Sequence, residues 1–530
     1  MLIVGGGPVG LALAGDLAWR GVRSLLIERT DGAIVQPKMD LVGVRTMEFC
    51  RRWGIVADVE ASRYNRNWQQ DNVYVTSLTG YELGRERFPA MNVSQPPPQR
   101  PQRRERCPQD MFDPILRAWA EGFEHTELRY ECELVDFTQN AEGVLAEVLD
   151  RATGRREQIA AAYLVGCDGA AGTVGRLLGI EMDGSGVLTD TTNLIVRAPN
   201  LVGLHDKGEC YRFIILSPEE GTWATLVAID GWDRWRMSIV RSRPGGLAPA
   251  EIDAAVRRAV GTDFDFEVLS VTNWKRRELV AQTYGAGRAF IAGDAAHVMS
   301  PTGGFGMNTG IGDAVDLSWK LDAVLRGWGG PRLFEAYTLE RRPVAERNAK
   351  EASGNLARML SPGPMPLLCA DSPDGARFRE RFGAEFSATM RHEWFTLGIH
   401  LGYRYDDSPL CCDDGTPRPP LEVARYEPTS RPGARAPHAW LRDGRSTLDL
   451  FGRGFTLLQL DPSADATPLV AAARACGVPL ELVVLGEPAV REAYERALVL
   501  VRPDGHVAWR GNAVPADPAT VMERVRGADQ

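Results

Sequence analysis

The chain has 530 residues and a formal charge of −9, without the basic excess expected of a nucleic-acid binder. It is 44% hydrophobic, yet it has no apolar run long enough to span a bilayer and no secretory leader pattern at its start. Its nine cysteines fit neither a disulfide framework nor a zinc site and read as reduced thiols of a cytoplasmic protein; the length suits about three domains.

Met1-Leu2-Ile3-Val4 is a short apolar strand, followed by Gly5-Gly6-Gly7-Pro8-Val9-Gly10. Leu13, Leu17 and Trp19 mark a helix that Gly21 ends, and residues 22–27 form a second strand closed by Glu28. Gly5, Gly7 and Gly10 make G-x-G-x-x-G between a strand and a helix. Glycines there let a pyrophosphate approach the helix N-terminus, and Glu28 can accept from ribose hydroxyls. A plain strand–turn–helix is the alternative, but the complete context favours a dinucleotide.

Residues 95–100 form a polar loop. The run Arg100, Arg103, Arg104, Arg106 reads either as a solvated loop or as a phosphate attractor. Residues 126–167 alternate like strands. Residues 184–279 predict short strands rich in Trp, Ile and Val, a sheet domain inserted into the first. After residue 310, Ala314, Leu317, Leu321, Val324 and Trp328 give an apolar helical stripe. Residues 428–437 read as a linker. Beyond it the pattern is strand 455–460, helix 468–476, strand 480–485, helix 488–496 and a hairpin of 497–501 with 506–509 on Pro503-Asp504-Gly505.

Residues 293–310, GDAAHVMSPTGGFGMNTG, are a second glycine-rich strand-to-helix turn. Asp294 at the strand end can accept from a polyol chain. Gly303, Gly304 and Gly306 let backbone amides meet a flat ring, and a helix starting near Met307-Asn308 turns its positive end toward developing negative charge. An isoalloxazine ring fits, so the dinucleotide is read as FAD. His297 reads as packing the turn, with no neighbour in sequence to orient it as a base.

Together these segments resemble the single-component flavoprotein aromatic hydroxylases, the class of para-hydroxybenzoate hydroxylase and phenol hydroxylase, over roughly residues 2–410. The matching residues are the Gly5–Glu28 fingerprint, Gly166-Cys167-Asp168-Gly169, and Gly293-Asp294 with Pro301 and Gly304-Phe305-Gly306-Met307-Asn308. The resemblance implies an α/β fold: a glutathione-reductase-type, Rossmann-like FAD-binding domain (1–183 and 280–427, with a substrate-domain segment near 65–105), the inserted β-sheet substrate domain, and a thioredoxin-like C-terminal domain at 428–530. It places Arg45 on the FAD pyrophosphate, Gln109 beside the flavin followed by Arg117, Leu134 by the adenine, and Arg29, Asp168 and Asp294 among the FAD contacts. The Asp-Gly motif departs from the family: Gly172 and Gly175 replace a serine and an arginine, which touches the reductive half-reaction. No cysteine follows Leu460, so the last domain is structural or an oligomer contact and not a thiol catalyst. All of the expected FAD ligands precede residue 310, so deletion of 438–530 is expected to leave FAD bound.

The implied chemistry is reduction of FAD by NADPH or NADH, addition of molecular oxygen to give a C4a-hydroperoxide, and attack on an electron-rich carbon of a small aromatic substrate. Because a phenol ionises at about 10, a base that favours phenolate helps. Asp40, five residues before Arg45, stands at the offset where phenol hydroxylase carries its catalytic aspartate. It is alternatively the cap of a helix at 44–53. Tyr211 and Arg212 are nearby candidates for partners from the sheet. Baeyer–Villiger or epoxidising chemistry on the same flavin, and an FAD-containing binding protein without turnover, are the competing readings; no membrane or nucleic-acid partner is expected.

Overall fold

The computed structural model describes residues 1–528. The short apolar strand Leu2–Val4 lies in the middle of a six-stranded sheet, between Leu164–Gly166 and Ser24–Ile27, both parallel to it. Ala289–Ile291 and Thr126–Arg129 extend the parallel part on either side, and Gly285–Ala286 adds an antiparallel edge. Leu2, Ile3, Leu26, Leu164 and Ile291 are buried, the uniform burial that parallel strands covered on both faces require. The helices Pro8–Trp19 and Gly306–Leu325 pack directly against each other. A three-stranded antiparallel sheet, Cys132–Gln139, Val144–Asp150 and Arg156–Ala161, stands beside it.

The second large sheet has eight strands. Met182–Arg197 and Glu267–Ala281 pair antiparallel along most of their length, and Arg234–Ile239, Gly221–Ala228 and Arg212–Ser217 follow. Asn72–Val75 and Glu82–Glu86 complete one edge, from a segment far away in sequence. His297–Val298 closes the other edge, so the glycine-rich turn after it is attached to this sheet. One face of the sheet carries its own core around Trp68, Phe213 and Trp235.

The C-terminal part runs strand, helix, strand, helix, hairpin, helix: Phe455–Gln459, Thr467–Ala475, Leu480–Val484, Pro488–Tyr494, Leu498–Val501 with Val507–Gly511, and Pro518–Val525. This is the thioredoxin-like arrangement. It is not an appendage: Phe455, Leu457 and Leu498 share one apolar cluster with Trp319, Trp328 and Leu333 of the FAD-binding part. The hairpin drives Arg502, 0% exposed, between Glu340 (2.9 Å) and Asp316 (3.1 Å). Lys320 pairs with the same two acids, and Arg435 grips Glu48 at 2.9 Å. Dispensability of 438–530 for FAD binding does not follow from such an interface. Among the described residues no helix is long and apolar enough to cross a membrane.

Candidate FAD and substrate site

At the end of Leu2–Val4 the backbone of Gly5 takes φ +110, and a Cβ on Gly10 would lie 2.0 Å from the Gly5 carbonyl oxygen. Neither position tolerates a side chain, so the turn stays tight and the helix Pro8–Trp19 begins directly behind it. That helix has Gly7 as N-cap with no side-chain cap bond. Its first N–H groups are therefore left to a ligand. A Cβ on Gly7 would meet nothing within 4 Å, the open side of the cradle. Glu28 accepts from the Gly6 N–H (2.7 Å) and from the Thr30 N–H and hydroxyl, which fixes its carboxylate against the glycine turn. Arg29 is exposed and acts on Asp168 through space.

Asp168 caps the helix Thr173–Leu177 through one oxygen, which accepts from the Thr173 and Val174 N–H groups. Its other oxygen, Oδ1, is buried without a partner. Leu134 is buried on its strand at a register irregularity. Asp294 and Pro301 are exposed, and Gly303 and Gly304 have φ +91 and +70, the left-handed turn that leads into Gly306–Leu325. That helix also lacks a side-chain cap, which leaves the N–H groups of Gly306, Met307 and Asn308 available. The residues present therefore fit an FAD stretched between the two helix N-termini: an open glycine cradle, an orphan carboxylate oxygen and uncapped N–H groups at both ends.

Three of the expected contacts already have partners within the protein. Arg45 donates to Glu48 at 3.0 Å and to the Asp504 carbonyl at 2.9 Å, because the C-terminal hairpin lies against its helix, while its Nε is buried without a partner. The Asn308 side chain is fully used within the protein. It accepts from the Gly43 N–H and Thr46 hydroxyl and donates to the Leu41 and Gly304 carbonyls, so only its backbone is open to a ring. Arg117 sits on an exposed helix face, paired with Glu121 and stacked over Tyr130. Gln109, two turns before it, accepts from the Lys38 N–H and donates to Asp113, whose carboxyl burial pushes up to about 7. His297 is buried as expected for a packing residue, but a neighbour does orient it: Asp313, at 2.7 Å, which Arg341 also holds.

Asp40 is the centre of a polar hub. Leu41–Val42 pairs with Glu105–Arg106, which brings Arg106 beside it. Arg106 donates to Asp40 Oδ1 at 2.9 Å, the Tyr211 hydroxyl donates to the same oxygen at 2.9 Å, and Arg236 donates to Oδ2 at 2.8 Å. Asp40 is only 6% exposed. Burial alone would raise its carboxyl, but Arg236, Arg106 and the Tyr211 hydroxyl outweigh that and hold it below the ordinary carboxylate range. Burial pushes the Tyr211 phenol up to about 12. The capping alternative is not what the structure shows: the helix Val44–Trp53 has Gly43 as N-cap with no side-chain bond.

Sheet register explains where the arginines come from. Arg212 stands opposite Val227, Val227 opposite Arg236, and Arg236 opposite Ile195, one row across four strands on one face. Arg212 pairs with Glu393 at 2.8 Å, and Glu393 also accepts from the Gly303 N–H at 3.3 Å. The sheet is thereby tied to the glycine-rich turn. Arg106, Arg236, Arg276 and Glu393 were not legible as site residues, since no local motif surrounds them; Arg106 lay within the arginine run, the one signal that could have found it.

The family described as FAD binding domain matches residues 1–352, and the one described as aromatic-ring hydroxylase, C-terminal, matches residues 429–528. A putative polyketide hydroxylase of Streptomyces halstedii is 34% identical over 98% of this chain and 94% of its own length. A phenol 2-monooxygenase of a Pseudomonas species is 31% identical over 98% of this chain and 91% of its own. The solved structure of RebC with bound 7-carboxy-K252c superposes with a TM-score of 0.92 at 40% identity, covering 100% of this chain and 99% of that one.

Proposed function

Because this chain belongs to the FAD-dependent aromatic-ring hydroxylases, we propose that its substrate is a phenolic or polycyclic aromatic bound between the Gly303–Asn308 turn and the arginine-bearing sheet, and that Asp40 and Tyr211 act on the substrate hydroxyl. The observation that carries this reading is the buried Asp40 hub with its three donors. Bound FAD, reduced by NADPH or NADH, supplies the activation of molecular oxygen. Gly5, Gly7, Gly10, Glu28, Asp168 and the N–H groups of Gly306, Met307 and Asn308 would hold it.

Tyr211 gives its proton to the bond with Asp40 and keeps its oxygen lone pairs as acceptors. A substrate phenol donating to Tyr211 joins that chain, and its proton moves toward Asp40 by way of Tyr211. Ionising a phenol at pH 7 costs about 4 kcal/mol, three units below its pKa of about 10. A cation about 4 Å away is worth about 4 kcal/mol at an effective dielectric constant of about 20. Arg106 and Arg236 with Asp40 leave the hub at a formal +1, enough to favour phenolate. The already low Asp40 pKa makes it a weak final store for the proton. Its larger task is to fix both guanidinium groups and aim the Tyr211 hydroxyl.

The purified protein is expected to be yellow, to release FAD on acid precipitation, and to oxidise NADPH faster when a phenolic ligand is added. NADPH oxidation that no aromatic ligand accelerates would contradict turnover and leave an FAD-containing binding protein.

A further inference from the structure

Arg276 lies on Glu267–Ala281 and is 4% exposed. Its Nε donates to the Thr191 hydroxyl at 3.1 Å and its Nη1 to the Ser300 hydroxyl at 3.4 Å. It stacks 5.2 Å over Trp274 and, among the described residues, pairs with no acid. A guanidinium has five N–H donors; two are used here, and Nη2 has no partner among the described residues. The charged groups around it are Arg212, Arg236 and Glu393. Burial, with repulsion from Arg212 and Arg236, holds it down to about 9.

The charges of the whole cluster do not balance. Arg106, Arg212, Arg236 and Arg276 give four positive charges, and Asp40 and Glu393 give two negative ones, a formal +2 to which Arg104, beside Arg106, adds another. A buried cation with no counter-ion is strongly unfavourable. Glu393 Oε2 is likewise buried without a partner, so on its acceptor side too the cleft has an unmet bond. A phenolate formed at the Asp40 hub offsets one excess charge, and a second anionic group on the same molecule would offset another.

We propose that Arg276, with the Ser300 hydroxyl beside it, receives a carboxylate carried by the aromatic substrate, so that the enzyme takes hydroxylated aromatic acids in preference to the corresponding phenols. This rests on the reading of the cleft as the aromatic site. A carboxylate suits the fork of Nη1 and Nη2 in a bidentate pair, the arrangement in which arginine surpasses lysine.

Equilibrium binding to the FAD-loaded enzyme, without NADPH, tests it apart from turnover. The probes are hydroxynaphthoic acid against naphthol and salicylate against phenol, followed by calorimetry. The wild type is expected to bind the acid of at least one pair ~10-fold or more tighter than its phenol. Arg276→Gln is expected to weaken that acid ~10–100-fold, the range of a charged hydrogen bond, and to leave the phenol within about twofold, with Arg276→Lys in between. Equal binding of acid and phenol, a uniform loss for both, or no binding of any probe overturns the proposal. A second readout needs no ligand: Arg276→Met is expected to hold or raise the melting midpoint of the ligand-free enzyme, because it removes an uncompensated charge. A fall of several degrees would show that Arg276 is structural and also overturns it. Acid binding that persists while no aromatic is hydroxylated contradicts the functional reading instead.

Discussion

Asp40→Asn is expected to lower hydroxylation ~10²–10⁴-fold at neutral pH, the range for a lost acid–base group, while FAD stays bound and NADPH is still consumed. Asparagine cannot accept from two guanidinium groups and the Tyr211 hydroxyl as a carboxylate does. Arg106 and Arg236 lose their shared anchor, and Tyr211 loses its direction. Hydrogen peroxide release should rise as product falls, because activated oxygen waits longer for a nucleophilic ring. The defect should shrink as pH rises toward about 10, where a phenol ionises in solution. Stability falls too: one partner of a buried ion cluster is worth ~3–5 kcal/mol. The sign of its pH dependence follows from the lowered Asp40 pKa. The wild type has the full contribution above the ordinary carboxylate value of about 4 and loses it as pH falls through the lower folded value, so the difference between wild type and variant closes in acid. The ratio of product to NADPH, measured against pH in both proteins, decides the role. A less stable variant with wild-type coupling at every pH would make Asp40 a structural counter-ion only.

Arg502→Met is expected to cost ~3–5 kcal/mol. Asp316, Glu340 and Asp504 now face Lys320 and Arg502. Burial pushes the Asp316 carboxyl up to about 8, so at neutral pH Glu340 and Asp504 balance Lys320 and Arg502; without Arg502 the sum is −1 among buried groups. Adding Glu340→Gln should restore part of the loss, since it returns the sum to zero. By the same argument, removal of 438–530 strips Arg502, takes the Asp504 carbonyl away from Arg45, and uncovers Trp319 and Trp328. The truncated chain is expected to be insoluble or to lose its flavin. Melting midpoint and flavin content measure both. A soluble truncation with an unchanged flavin spectrum would show the seam to be dispensable.

The two glycine turns were legible because each is a local demand: a Cβ at Gly10 meets the Gly5 carbonyl, and Gly303 and Gly304 hold positive φ. Such constraints leave their mark within a few residues. Asp40 was legible only through its offset from Arg45, whose guanidinium also holds the Asp504 carbonyl of the C-terminal hairpin. The rest of the hub depends on strand register. Arg212 and Arg236 become neighbours only because Val227 lies between them on the intervening strand, and Glu393 arrives from a helix 181 residues beyond Arg212. No periodicity in the chain records such pairings. The charged seam was hidden for the same reason. Arg502 sits in a turn that reads as an ordinary hairpin tip, and nothing near it in sequence announces that Glu340 and Asp316 surround it.

This chain is expected to transfer one atom of molecular oxygen to a ring carbon of a phenolic aromatic. The most direct measurement supplies the FAD-loaded protein with NADPH, isotopically heavy oxygen gas and the aromatic that most accelerates NADPH oxidation, and weighs the product by mass spectrometry. One heavy oxygen atom should enter as a new ring hydroxyl, with the carbon skeleton intact and product matching NADPH consumed. Heavy oxygen in a ring-expanded lactone or an epoxide, or oxygen in the product drawn from water, would contradict it.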